Sequence, residues 1–358
     1  MTVLPFSDIR PEHFPWFDYS RYTFSLGLQW SGHAWLSGHS AGVYDGEEGH
    51  FVVRGGMADQ TRTAYEKIAA ILDAAGYSLG DAQKVIHWVT QEGLPHAEEA
   101  DAVRAEILGE SPKAAVGTCA VRRLLRPQAW IEIEVVAGDG PGDLVYLPGL
   151  TGVPAGADAL DQLRAALDDA GMRLAAAGAR AAKAVVTVTP GVDMEKVLAT
   201  IGAGIGGASR TVPAVTVNAV PSLRDPRASV AVDLIGTAEE TAAHGDERAG
   251  VPDAVQAGRY LFCSGAGART GATGSPADQA RAAFVHLEGV LGAAGAANPN
   301  MLKTVEYVTI DGLADYRPVA EVRTELFEAP YPASTGLVCD ALPGDGQTFE
   351  VDATALLS

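Results

Sequence analysis

Residues 60–76, QTRTAYEKIAAILDAAG, residues 162–178, QLRAALDDAGMRLAAAG, and residues 279–295, QARAAFVHLEGVLGAAG, each run from a glutamine to an Ala-Gly pair with no gap. Three copies of one frame in one chain point to internal repetition, and that reading precedes any other because it sets the unit of folding. In the first copy Tyr65, Ile68, Ala69, Leu72 and Ala75 recur at helical spacing on one stripe, and Gly76 stands where a helix ends in a left-handed cap. A stripe of this kind covers a sheet.

The sheet follows downstream in the same order each time. Residues 84–90 (KVIHWVT), 183–189 (KAVVTVT) and 303–309 (KTVEYVT) carry the β-branched and aromatic content of strands. Each copy continues with a weaker helix (97–108, 194–201, 319–327), a penultimate strand (115–121, 214–220, 335–339) and a closing strand (130–137, 228–235, 349–356). Period-two alternation puts the acids of the closing strands on one face, which reads as polar. The expected architecture is α+β, three tandem modules spanning residues 1–140, 141–240 and 241–358, the second being the shortest and most degenerate. The first carries an N-terminal extension. Glycine-rich or charged connections near 140 and 240 set the boundaries. The string Gly202-Ala-Gly-Ile-Gly-Gly follows a helix and not a strand, so it reads as a trimmed loop and not as a dinucleotide fingerprint.

Composition narrows the function. The 358 residues hold 45 acidic against 26 basic side chains, a formal charge of −19, with no basic run to track phosphates. A polyanion is repelled by such a field, so nucleic acid is an unfavourable partner. Three cysteines, Cys119, Cys263 and Cys339, have no C-x-x-C spacing and an odd count, which fits a reducing cytoplasm. No apolar stretch reaches bilayer-spanning length and residues 1–17 lack the layout of a signal peptide, so neither secretion nor membrane insertion is expected.

The motifs around the repeats resemble the RidA (reactive-intermediate deaminase, or YjgF) family. The resemblance rests on Leu36-Ser37-Gly38-His39 and Cys263-Ser264-Gly265, the glutamine helix, Pro332-Ala333-Ser334, and Leu125-Arg126-Pro127-Gln128-Ala129-Trp130-Ile131-Glu132-Ile133-Glu134. It covers about residues 20 to 355, loosely in the second copy. The resemblance implies a chorismate-mutase-like fold, an intramolecular pseudo-trimer with a small-molecule cleft at each junction, and a monomer or dimer in solution. It also implies cofactor-free hydrolysis of imines or enamines, with an arginine holding a substrate carboxylate and a glutamate positioning water.

At the arginine position the chain departs from the family: Ser334 stands there in the third copy, with Val116 and Val215 as the equivalents. Loss of a charge-assisted contact worth roughly 1.5–3 kcal/mol weakens binding of an amino-acid-derived imine by about one to two decades, so a simple 2-imino acid is not the expected substrate. The glutamate survives as Glu132 and Glu350, the catalytic candidates, while the second copy has Ala231. Candidates for holding substrate are Thr118, Cys119, Ser334 and Thr335 on the penultimate strands, Ser37 and Ser264 at the Ser-Gly strand ends, and Trp88 and Tyr307 on the lysine strands. No metal-ligand spacing links His33, His39, His87 and His96.

Two other readings stand beside this one. A non-catalytic small-molecule-binding or partner-interaction protein would also keep the fold without the arginine. The recurrence of Lys84, Lys183 and Lys303 is similar to the three-repeat cyclic-amide hydrolases that open rings with serine–lysine pairs, although no matching serine triplet is present. The divergence of the copies fits an enzyme of specialised metabolism.

Overall fold

The structure, a computed structural model, describes residues 7–9, 22–110, 112–140, 142–153, 158–205, 211–271 and 273–357. Most of the N-terminal extension and Gly206 and Gly207 of the glycine-rich loop lie outside the described residues.

The first repeat contains β1 (Gly27–Trp30), β2 (His33–Leu36), α1 (Met57–Ala74), β3 (Ala82–Thr90), α2 (Ala97–Leu108), β4 (Ala115–Val121) and β5 (Ile131–Gly138). Its sheet runs β1-β2-β5-β3-β4, with β3 and β4 parallel and the other pairs antiparallel. A parallel pair needs a crossover, which α2 supplies. The second repeat, with β6 (Leu144–Leu150), α3 (Ala159–Ala176), β7 (Arg180–Val188), α4 (Met194–Gly202), β8 (Ala214–Ala219) and β9 (Val230–Thr237), orders as β6-β9-β7-β8. It has one strand where its neighbours have a hairpin.

The third repeat comprises β10 (Thr241–Arg248), β11 (Val251–Ala257), β12 (Tyr260–Cys263), α5 (Gly267–Thr270), α6 (Pro276–Ala293), β13 (Met301–Thr309), α7 (Val319–Leu326), β14 (Ala333–Cys339) and β15 (Phe349–Leu356). Its sheet runs β10-β11-β12-β15-β13-β14, and Arg123–Leu124 of the first repeat pairs with β14.

The repeated glutamine has a structural reason. Gln60, Gln162 and Gln279 are 2–3% exposed, and their Oε1 atoms accept from the backbone N–H of Trp130, Ser229 and Thr348 at 2.7–2.8 Å. Each one ties its long helix to the loop that delivers the closing strand. At the other end Gly76, Gly178 and Gly295 adopt φ of 65–81°, the left-handed cap read from the sequence.

The helices cover one face of each sheet. Tyr65, Ile68 and Leu72 pack on Val85, Val89, Ile131 and Ile133 in the first repeat, and α3 and α6 repeat the arrangement. The opposite faces converge: Leu28, Trp35 and Val136, Leu144, Ala182 and Ala214, and Phe262, Leu302 and Leu356 form one apolar cluster drawn from all three repeats. The chain is thus an intramolecular pseudo-trimer.

Buried ion pairs stitch the seams. Lys303 Nζ donates to Leu36 O (2.8 Å) and Thr335 Oγ1 (2.6 Å) and lies 2.9 Å from Glu134. Lys183 Nζ repeats this at the next seam with Cys263 O (2.7 Å), Thr216 Oγ1 (2.7 Å) and Asp352 (3.0 Å). The polar face of the closing strands is not solvated at these positions: Glu134 and Asp352 are 4% and 5% exposed and turn inward to meet lysines. Removing one member of such a pair leaves a buried charge alone. Lys183→Met is expected to lower unfolding free energy in urea by about 3–5 kcal/mol, whereas adding Asp352→Leu should restore most of it.

Candidate functional site

The seam between the first and third repeats holds an open cleft of about 590 Å³. Glu132 projects into it from β5, where the strand pairs with the short His39–Ser40 segment. A Cβ placed on Gly38 would lie 2.1 Å from Glu132 Oε1, so the carboxylate rests directly on the Ser-Gly strand end, in the space a side chain there would take. Across the seam, Gly38 N donates to Ser334 O at 3.3 Å and to Thr335 Oγ1 at 3.0 Å.

Burial dominates the electrostatics of Glu132 and pushes its carboxyl up to about 7, against the pull of Lys303, Lys67 and Arg126 and with help from Glu134. Lys67 donates to Ser40 O and Gly42 O, and burial, together with Arg126, brings its ammonium down to about 8. His39, also lining the cleft, is held neutral by burial, its pKa lowered to about 3.

Guanidinium groups are present after all: Arg126 of the first repeat and Arg317 and Arg323 of the third line the cleft, Arg323 being engaged by Glu306. Arg126, from the loop ahead of β5, lines the cleft with its charge 4.4 Å from the Phe51 ring centre, and its side chain lies so close over Gly42 that a Cβ there would meet Nε at 2.3 Å. The family position remains Ser334, which lines the cleft without a charge, so the reading that no arginine serves the site holds for that position only. Strand register confirms Val116 and Val215 as its equivalents: Lys84, Lys183 and Lys303 face Ala115, Ala214 and Ala333 in turn. Arg126 stood inside the quoted closing motif, but a loop side chain gives no sequence signal for the direction it takes. Tyr22, Phe24, Phe51 and Tyr316 supply the aromatic walls.

The other candidates do not gather here. Glu350 is 1% exposed and lies beneath α5, whose Gly267 approaches so closely that a Cβ would meet Phe349 O at 2.3 Å. Arg269 anchors α5 through Asp253 at 2.8 Å, and Gln347 Nε2 donates to Glu350 at 3.1 Å. The expectation of Glu350 at a cleft mouth is corrected by this lid.

Ser37 and Ser264 are buried and bond Ser334 N and Val215 N across their seams, so they position strands. Thr335 is 1% exposed and spans Lys303 and Glu134. Trp88 and Tyr307 are buried in an apolar cluster with Ile86 and Leu337. These five pack or position and do not face the Glu132 cleft. Thr118 and Cys119 line a different cleft, between the first and second repeats.

A cleft at a module seam with a glutamate over a Ser-Gly strand end belongs here to a pseudo-trimeric α+β fold. A family model described as Endoribonuclease L-PSP matches residues 19–138 and 248–357, and the chain belongs to that family, which includes RidA and YjgF. A RutC family protein of Pyrococcus horikoshii is 41% identical over 86 residues, which is 24% of this chain and 65% of that protein; the chain thus spans just under two thirds of that relative's length. Among solved structures, a YjgF/YER057c/UK114 family member of Mycobacterium tuberculosis is 27% identical, with 33% of this chain and 100% of that one covered and a TM-score of 0.30. The YjgF gene product of E. coli is 24% identical, with 37% and 99% covered and a TM-score of 0.31.

The raised Glu132 pKa has a measurable consequence. Between pH 4.5 and about 7 the folded chain retains a proton that the unfolded chain has released, so this group's contribution to stability declines as pH rises through that window and is flat above it. Glu132→Gln is expected to be more stable than the parent at pH 8 by roughly 2–3 kcal/mol in urea unfolding, with the difference closing towards pH 4.5.

Proposed function

We propose that the Glu132 cleft hydrolyses an imine- or enamine-type small molecule bulkier than a simple 2-imino acid. The observation that carries the reading is a carboxyl poised at about 7 inside an open seam cleft, the range in which one group both accepts and returns a proton near neutrality. Glu132 takes a proton from water as its oxygen bonds to the C=N carbon. With the C=N nitrogen already protonated, Glu132 returns that proton to the nitrogen of the carbinolamine. The C–N bond then breaks as the carbinolamine hydroxyl gives its proton to Glu132, leaving a carbonyl and ammonia or an amine that carries the last proton away.

Aromatic walls and the size of the cleft favour a larger body than a small imino acid offers. Arg126 stands on Glu132's own repeat and Arg317 across the seam, while Arg323 is engaged by Glu306, so an anionic group on the substrate meets a guanidinium away from the Ser334 position. The family's nuclease name is not carried over, because the charge of −19 opposes RNA. All three seams are completed within one chain, which supports a monomer as the working unit. Three buried free cysteines support a cytoplasmic setting, and no helix among the described residues is long and apolar enough to cross a membrane.

A binding role has its own support at the seam of the first and second repeats, where Ala231 replaces the glutamate. The deciding assay is ammonia release from imines generated in situ, small 2-imino acids beside bulkier aromatic ones, against the spontaneous rate. Glu132→Gln should lower turnover by about 10²–10⁴-fold while Glu350→Gln stays within about threefold, as expected for loss of a general base against loss of a covered side chain. Arg126→Ala should raise KM for carboxylated substrates by about tenfold or more, as for loss of a charge-assisted contact. No acceleration on any substrate would remove the hydrolase reading.

A further inference from the structure

Three lysines and three acids occupy equivalent positions at the seams, yet they are shared unequally. Asp352 has Lys183, and Glu134 has both Lys303 at 2.9 Å and Lys84 at 3.3 Å. Asp233, the third acid, has no ion-pair partner within 4 Å among the described residues.

The cause lies in the neighbouring strand. Thr335 and Thr216 supply the hydroxyl that helps hold Lys303 and Lys183, whereas strand register puts Gly117 at the matching place for Lys84. Its missing side chain leaves room for Pro148, which a Cβ on Gly117 would meet at 2.4 Å. Lys84 turns instead to Glu134, and among the described residues Asp233 accepts from Gly149 N (3.0 Å) and Cys119 Sγ (3.2 Å).

Asp233 also lines an open cleft of about 410 Å³, together with Thr118, Thr151, Thr187, Leu223 and Ala231. The other charged groups of this cleft are engaged: Arg224 with Asp101 and Thr118, Asp225 with Arg227. At the other two seams the same acid position receives a primary ammonium, the lysine Nζ. We infer that the cleft between the first and second repeats binds a small primary alkylammonium ligand, whose ammonium group pairs with Asp233 in the part played elsewhere by a lysine. With Ala231 at the glutamate position, this site binds and does not hydrolyse.

Calorimetric titration of the full chain at pH 7.5 with n-propylammonium chloride, against sodium propionate and n-propanol, tests the assignment. Propylammonium should bind at least tenfold more tightly than either control, and Asp233→Asn should abolish the difference. Ala231→Leu, which fills the cleft while keeping the carboxylate, should also abolish it and covers the case in which Asp233→Asn does not fold. Glu132→Gln should leave it intact, which separates this site from the hydrolytic one. Propylammonium binding no tighter than propanol, or binding unchanged in both Asp233→Asn and Ala231→Leu, would overturn the inference.

Discussion

The structure depends on an ammonium group that is buried at a seam and must be satisfied there. An unpaired charge in such a place is prohibitively unfavourable, so the lysine head accepts only an arrangement that presents a carboxylate, a hydroxyl and a carbonyl together. For Lys303 these come from both repeats: Leu36 O and Glu134 from the first, Thr335 from its own. The pair thereby fixes how β14 approaches the end of β2. Because side chains on one strand face repeat every two residues, fixing Glu134 at the seam also delivers Glu132 to the same face one step nearer the surface. The candidate base is placed by the same contact that closes the assembly.

Covalent linkage lets each seam change alone, and all three have done so. The first-to-third seam keeps its glutamate and stays open because the chain after Gly38 leaves as a hairpin, Val43–Asp45 paired with His50–Val52, whose Phe51 forms part of the wall. After Gly265 the chain instead folds into α5, and the Arg269–Asp253 pair pins it over Glu350. At the remaining seam, the change from threonine to Gly117 and from glutamate to Ala231 removes the lysine contact and the base together. One symmetric design would have forced all three junctions to share each of these changes.

Much of this was legible in the sequence, for physical reasons that differ by element. The helix frame was readable because a long amphipathic helix with a fixed cap constrains every third or fourth residue, and Gln60, Gln162 and Gln279 recur because each must reach one backbone N–H. The absence of arginine at Ser334, Val116 and Val215 was readable because strand register carries it. Glu132 and Glu350 were indistinguishable, since their fates depend on whether the chain about 80 to 90 residues earlier forms a hairpin or a four-residue helix. Thr335 and Ser37 looked like ligand groups because a hydroxyl at a strand end bonds substrate and backbone equally well. Arg126 was in plain view, but a loop guanidinium is placed by packing on Phe51 and by the reach of its stem, neither of which leaves a periodic trace.

Net charge alone would suggest that this protein avoids anions everywhere, and the cleft shows why that inference fails at short range. Screening at physiological salt reduces exposed charges beyond about 8 Å to a weak background. Inside the Glu132 cleft, Arg126 and Lys67 stand close enough to act on the carboxyl, and they oppose its neutralisation without reversing it. The site therefore combines a glutamate that shifts between two protonation states near neutrality with a cation on its own wall. Across the seam Arg323 also lines the cleft but is engaged by Glu306 and Thr23, and Arg317 lines it too. Cations therefore border the Glu132 carboxyl from both repeats, while Phe51 packs on Arg126 and Tyr316 stands on the other side.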